Sequence, residues 1–144
     1  MREINFIKRK VLILCTGNSC RSQIAEGYLR YFAGDRFEVR SAGLEPGTVN
    51  PKAIKVMQED GVDISRHISK DVTQFTGQKF DFIITVCDNA KEHCPVFPGA
   101  AERIHWSFED PGAATGTEGE ILYVFRKVRD QIKSTLKKFI DERK

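Results

Sequence analysis

No two of the four cysteines in this chain form a Cys-x-x-Cys pair, and no apolar run approaches the ~20 residues of a membrane-spanning helix. The first absence argues against a zinc knuckle, which is built on close cysteine pairs. The second leaves no candidate for a membrane span, and the N-terminal MREINFIKRK also lacks the apolar core of a secretory signal. A cytoplasmic protein with no membrane partner is therefore expected. In that reducing compartment cysteines serve metals or catalysis more than structural disulfides. There is also no excess of one charge: 23 Lys and Arg stand against 20 Asp and Glu, a net +3 with both signs interspersed. Without a basic stripe no nucleic-acid partner is expected, whereas a small anionic substrate suits the balance. Internal repeats and low-complexity tracts are missing too, so the 144 residues predict one domain over 1–144.

What is present is an alternation of two patterns. VLILC (Val11–Cys15) is a buried strand run, and SQIAEGYLRYFA (Ser22–Ala33) places Ile24, Tyr28, Leu29 and Phe32 on one helical face. FEVRSA (Phe37–Ala42) alternates as a strand. NPKAIKVMQEDG then reads as a helix with Asn50 as N-cap, Pro51 in its first turn and a stop at Gly61. DFIITVCD (Asp81–Asp88) is a third strand, ERIHWSF (Glu102–Phe108) a fourth of weaker pattern, and GEILYVFRKVRDQIKSTLKKFIDE a long amphipathic helix. PGAATGTEG (Pro111–Gly119) reads as a mobile surface loop. Strands separated by helices need crossover connections, so the expected fold is α/β: an open four-stranded parallel sheet flanked by helices on both faces.

In such a sheet, ligands collect beyond the carboxyl ends of the strands, where Cys15, Asp88 and Asp110 are expected. CTGNSCRS (Cys15–Ser22) runs from the first strand into the first helix, so its amides and the positive helix end favour an anion. Thr16, Gly17, Asn18 and Ser19, followed by Cys20, Arg21 and Ser22, would form an oxyanion cradle with Cys15 at its base. Gly17 permits the tight turn, Arg21 offers a planar fork to a tetrahedral oxyanion, and the hydroxyls of Ser19 and Ser22 add donors. The Cys15 thiol is expected to be a thiolate, lowered by the helix end and by Arg21. A buried structural cysteine beside a surface arginine is the competing reading, and it does not explain the strand, loop and helix context. Asp110 before Pro111 is either a turn residue or an acid, a choice that the preceding HWSFE tips toward the acid. His67, His93 and His105 are scattered and read as surface or packing residues, and Trp106 as core.

Cys15, Arg21 and Ser22 in CTGNSCRS, with Ala25 and Glu26 following, resemble the phosphate loop of the low-molecular-weight tyrosine phosphatase fold. Within that superfamily, CTGNSCRSQ, SAG (Ser41–Gly43), VNPKAI (Val49–Ile54), VCDNA (Val86–Ala90), CPVFPG (Cys94–Gly99) and HWSFEDP (His105–Pro111) resemble the thioredoxin-coupled arsenate reductases. The resemblance runs over nearly the whole chain from Val11 onward. It implies a low-molecular-weight phosphatase-like fold and a monomer with no bound cofactor or metal. It also implies arsenate as substrate, with phosphate or sulfate as analogues, and thioredoxin as external reductant.

A phosphatase and a reductase differ in what the remaining cysteines must do. Hydrolysis of a phosphocysteine needs one thiol, one cradle and one acid, whereas arsenate reduction moves two electrons, which thiols supply by becoming a disulfide. By the resemblance, Cys15 attacks arsenate held by the loop amides and Arg21, and Asp110 protonates the departing oxygen. Cys87 then attacks Cys15, and Cys94 attacks Cys87, leaving a Cys87–Cys94 disulfide for thioredoxin. The charged segment DNAKEH between these two cysteines is expected to be mobile. Cys20 has no station in this relay and reads as a loop-packing residue, with a redox-protective role as the alternative.

Phosphatase chemistry through a phosphocysteine on Cys15 is the alternative, and a non-catalytic oxyanion-binding module a third. Gly112, Ala113 and Ala114 stand where the phosphatases carry a tyrosine pair, which removes an aromatic wall for a phosphotyrosine ring. Some reductases of this kind bind potassium through residues matched here by Asn18, Glu26 and Ser41, together with a further acid. Lys70 in ISRHISK takes that acid's place, and its ammonium can occupy the cation's position, so no tight potassium site is expected.

Overall fold

In the computed structural model, which describes residues 7–143, the four apolar runs lie side by side as parallel strands in the order β2-β1-β3-β4. Residues 1–6, part of the stretch read as lacking a secretory signal, and Lys144 fall outside the described residues. β1 (Arg9–Cys15) is central and buried from Val11 onward, which is why its apolar run is continuous and does not alternate. It pairs with β2 (Phe37–Gly43) on one side and β3 (Phe82–Thr85) on the other, and β4 (Glu102–His105) closes on β3. Helix α1 (Arg21–Ala33) makes the crossover from β1 to β2, and α2 (Pro51–Glu59) follows β2. The short α3 (Asp88–Glu92) lies between β3 and β4, and the long α4 (Glu118–Glu142) ends the chain.

Successive strand residues point to opposite faces, so two neighbours on β1 identify what covers each face. The Arg9 guanidinium lies over Phe37 and Phe82, whose rings pack against Phe139 of α4 at 5.7 and 5.3 Å. The Lys10 ammonium lies over Phe80 on the other face, where Phe75, Phe80 and Phe97 pack edge to face beside the 3-10 turn Val72–Gln74. Helices thus flank both sides, the large ones on the Phe139 face and α3 with the 3-10 turn on the other. Arg126 and Lys133 tie α4 to the end of α2 through ion pairs with Glu59 and Asp60.

Local chemistry explains the element ends. Asn50 caps α2 by accepting from the Lys52 amide, with Pro51 as first residue, and the chain leaves α2 through Gly61 at a φ of 78°. Two stretches read as mobile loops are folded. Pro111–Ala113 is a 3-10 turn capped by Asp110, and Thr117 with Glu120 makes a reciprocal capping box that starts α4. DNAKEH carries α3, whose N-cap is the Cys87 sulfur, accepting from the Ala90 amide at 3.4 Å. Among the described residues, no helix is long and apolar enough to cross a membrane.

Candidate active site

β1 leads through α1 to β2 on one side and stands next to β3 on the other, so the connections diverge at the carboxyl end of β1. That switch point is where an open parallel sheet opens a crevice. The loop from Cys15 to Arg21 covers it. Asn18 supplies the loop's left-handed residue at φ 49° and is fully buried. Its Nδ2 donates to Ser22 Oγ at 2.8 Å and Ser41 Oγ at 2.9 Å, and its Oδ1 accepts from the Lys70 amide at 2.9 Å. Behind the loop, Gly43 at the end of β2 is required for close approach: a Cβ there would lie 2.6 Å from the Thr16 carbonyl oxygen and 2.9 Å from the Asn18 nitrogen.

The concave side of the loop faces a cavity of about 320 Å³, walled by Cys15, Thr16, Gly17, Ser19, Cys20 and Arg21, and completed by Asn50, Asp110 and Gly112. Arg21 Nη1 donates to the Phe108 carbonyl at 3.0 Å, and Nη2 lies 3.9 Å from Asp110 Oδ2. Its Nε–H is buried and unpartnered, alone in this among the side-chain nitrogens and oxygens of the described residues. A buried donor left so costs ~1–3 kcal/mol, and the oxygen of a tetrahedral anion is the acceptor that would relieve it. Asp110 turns Oδ1 to the Gly112 amide, which leaves Oδ2 on the Arg21 side. The side chains of Asn18 and Ser22, read from the sequence as part of the cradle, face away from the cavity and brace the loop from behind. Asn50, read from the sequence as a helix cap within VNPKAI and not as part of the cradle, joins the wall, and its backbone amide donates to the Ser19 carbonyl at 3.1 Å.

Cys87 follows β3 as Cys15 ends β1, and the paired strands bring the two thiols close enough to shift one another's titration. The neighbouring Cys15 thiol holds the Cys87 thiol down at about 5, helped by Thr16 and the Ala90 amide against the opposing effect of burial. The nearness of Cys87 and burial push the Cys15 thiol up, while the Arg21 charge and the Thr16 backbone pull it down. The two neighbouring thiols shift in opposite directions, so the pair, and not the loop alone, sets which sulfur carries the charge. Thr16 Oγ1 lies 3.4 Å from Cys87 Sγ and accepts from Asn89 Nδ2 at 3.0 Å. Cys20 is buried in the cavity wall, and burial pushes its thiol up to about 11. Cys94 is half-buried beyond α3, where Arg103 Nη1 donates to its sulfur at 3.2 Å. All four cysteines are free thiols.

The residues matched to a potassium site do come together, but they do not fit the ion. Ser41 donates to Glu26 Oε1, Arg30 Nη2 lies 2.8 Å from Glu26 Oε2, and Lys70 Nζ lies 3.9 Å from Glu26 Oε1. Asn18 Oδ1, the oxygen a cation would need, is occupied by the Lys70 amide. Burial holds Lys70 below its ordinary pKa, with Glu26 pulling it back up. Two protein cations already neutralise the carboxylate that would hold a third.

Residues 10–144 match the family of low molecular weight phosphotyrosine protein phosphatases. An arsenate reductase of Halalkalibacterium halodurans is 47% identical over 134 residues, covering 93% of this chain and 96% of that protein. One from Oceanobacillus iheyensis is 46% identical over 132 residues, 92% and 95% of the two chains. An arsenate reductase solved in a phosphate-binding state superposes with a TM-score of 0.80 at 35% identity, covering 93% of this chain and 98% of that one.

Proposed function

Because the chain belongs to the low-molecular-weight phosphotyrosine protein phosphatase family, we propose that it reduces arsenate to arsenite through a relay of Cys15, Cys87 and Cys94, with thioredoxin as external reductant. The observation that carries this reading is the placing of Cys87 beside Cys15 at a cavity walled by Arg21, whose Nε–H is buried and unpartnered. A phosphatase has no use for a second thiol against its nucleophile. A two-electron reduction requires one.

Arsenate binds with its oxygens on the loop amides and Arg21. The Cys87 thiolate takes the proton of the neighbouring Cys15, and the Cys15 thiolate attacks arsenic. Asp110, held near Arg21 by the 3-10 turn, protonates the departing oxygen, which leaves as water. Cys87, deprotonated again, attacks the Cys15 sulfur. A Cys15–Cys87 disulfide forms, the sulfur–arsenic bond breaks with its electron pair on arsenic, and arsenite departs. Cys94 then displaces Cys15 from Cys87. In sum, arsenate and two thiols become arsenite, one disulfide and water, and thioredoxin returns the disulfide to dithiol. The enzyme acts as a cytoplasmic monomer and holds no cofactor or metal of its own.

The test is arsenite production in the presence of thioredoxin, thioredoxin reductase and NADPH. Cys15→Ser, Cys87→Ser and Cys94→Ser are each expected to abolish multiple turnover; sustained turnover by either of the last two refutes the relay. Hydrolysis of para-nitrophenyl phosphate reads the cradle separately and is expected to disappear with Cys15 alone.

A further inference from the structure

Cys94 must reach Cys87 in the relay, and the fold holds them apart. The two are seven positions apart with α3 between them. Along a helical path at ~1.5 Å per residue that is about 10 Å, whereas a disulfide needs Cα atoms within about 7 Å. α3 therefore has to open when the bridge forms.

Two residues of β4 keep it closed. At the start of α3, His105 Nε2 lies 3.0 Å from Asp88 Oδ1; a carboxylate only accepts, so the imidazole donates. The other ring nitrogen, Nδ1, meets Thr85 Oγ1 at 2.7 Å, which fixes the ring's orientation. Past the end of α3, Arg103 Nη1 donates to Cys94 Sγ. Arg103 and His105 are alternate residues of one strand and so share a face, where they and Cys94 border a cavity of about 190 Å³ beneath the segment.

We propose that Arg103 and His105 form a two-point latch that stabilises the dithiol state of Cys87 and Cys94, raising the reduction potential of that couple and keeping its disulfide reducible by a protein dithiol. The proposal rests on the relay reading above. On bridging, the two thiols give up two protons and two electrons. The electrons pass to arsenic, and an external dithiol returns them while itself becoming a disulfide. A contact present in the dithiol and lost in the bridge biases this equilibrium toward the dithiol. The Arg103 contact is lost because the Cys94 sulfur leaves for Cys87. The Asp88 contact is lost because its neighbour Cys87 stops capping Ala90 and the first turn of α3 unwinds. Both are positioning residues and touch no substrate.

The full-length protein is equilibrated in mixtures of oxidised and reduced dithiothreitol. Alkylation followed by mass spectrometry of the Cys87 and Cys94 peptides then reads the bridged fraction. Asp88→Ala and Arg103→Met remove the two contacts at exposed side chains, so the core is untouched. Each is expected to bridge at an oxidised-to-reduced ratio about threefold lower than wild type, as suits a single exposed polar contact. The double variant is expected near ~tenfold, a potential ~30 mV more negative. Arg103→Lys, which keeps a donor, is expected to return most of the shift. An unchanged midpoint in the double variant overturns the latch and leaves the relay standing. A wild-type protein that forms no Cys87–Cys94 bridge at any ratio overturns the relay, and the latch with it.

Discussion

Cys15 ends β1 and Cys87 follows β3, so their thiols stand together at the base of the cavity and shift one another, Cys87 down and Cys15 up. The pairing is a product of strand register. Leu14 of β1 stands opposite Thr85 of β3, and the Val86 amide donates to the Leu14 carbonyl at 3.0 Å, so the two chains leave the sheet together and deliver their cysteines to one place.

The pair has a pH signature. Cys87 is held at about 5, so the ligand-free protein is expected to carry one thiolate at neutral pH, visible as thiolate absorbance that vanishes as pH falls through about 5. Between that value and the ordinary thiol value of 9.0, the unfolded chain binds a proton at Cys87 that the folded chain lacks. This contribution to stability therefore grows with rising pH across the window and is lost as pH drops through its lower limit. Cys15→Ala removes the neighbouring thiol and is expected to move the absorbance step upward; a step that stays in place would contradict the pairing.

Arg21→Lys keeps the charge and removes the fork. With the Nε donor gone and the contact to Phe108 lost, phosphate affinity measured by calorimetry is expected to fall at least about tenfold. Affinity equal to wild type would mean that charge alone holds the anion.

Gly43→Ala places a methyl group against the Thr16 carbonyl and the Asn18 amide, both backbone atoms that cannot swing aside. A loss of ~1–3 kcal/mol in denaturant unfolding is expected. Anion affinity should fall with it, because the same displacement flattens the loop.

Exchanging potassium for sodium at constant ionic strength is expected to leave both the reduction rate and the melting temperature unchanged, since Lys70 and Arg30 already serve Glu26. Lys70→Gln removes one of those cations, and it is in this variant that a potassium response should emerge. A specific potassium effect on the wild type would show that the lysine does not replace the ion.

Much of this protein is legible where cause and effect lie close in the chain. The apolar run of β1, the Asn50 cap with Pro51 behind it, and the passage from strand through CTGNSCRS into α1 are local arrangements. Each declares its structure by composition and spacing. Capping was harder to see when an unusual atom did it. The N-cap of α3 is a sulfur, and α3 itself is only five residues long, so DNAKEH reads as an open loop. Asp110 and Thr117 likewise order a stretch whose glycines suggested mobility.

Local physics thus delivered the alternating parallel fold, the oxyanion loop and its nucleophile, because amides, a helix end, a thiol and a guanidinium are all set within a few residues of one another. Which way each thiol shifts, which loop side chains turn inward, what stands beside Glu26 and what holds the segment between Cys87 and Cys94 were decided by packing. Asn18 and Ser22 face backward because Ser41 arrives from β2, and Lys70 reaches Glu26 from a distant loop. Arg103 and His105 meet Cys94 and Asp88 only because β4 lies against β3. Pairwise distances between residues far apart in sequence set pKa values and hydrogen bonds. Those distances exist only once the strands have taken their register.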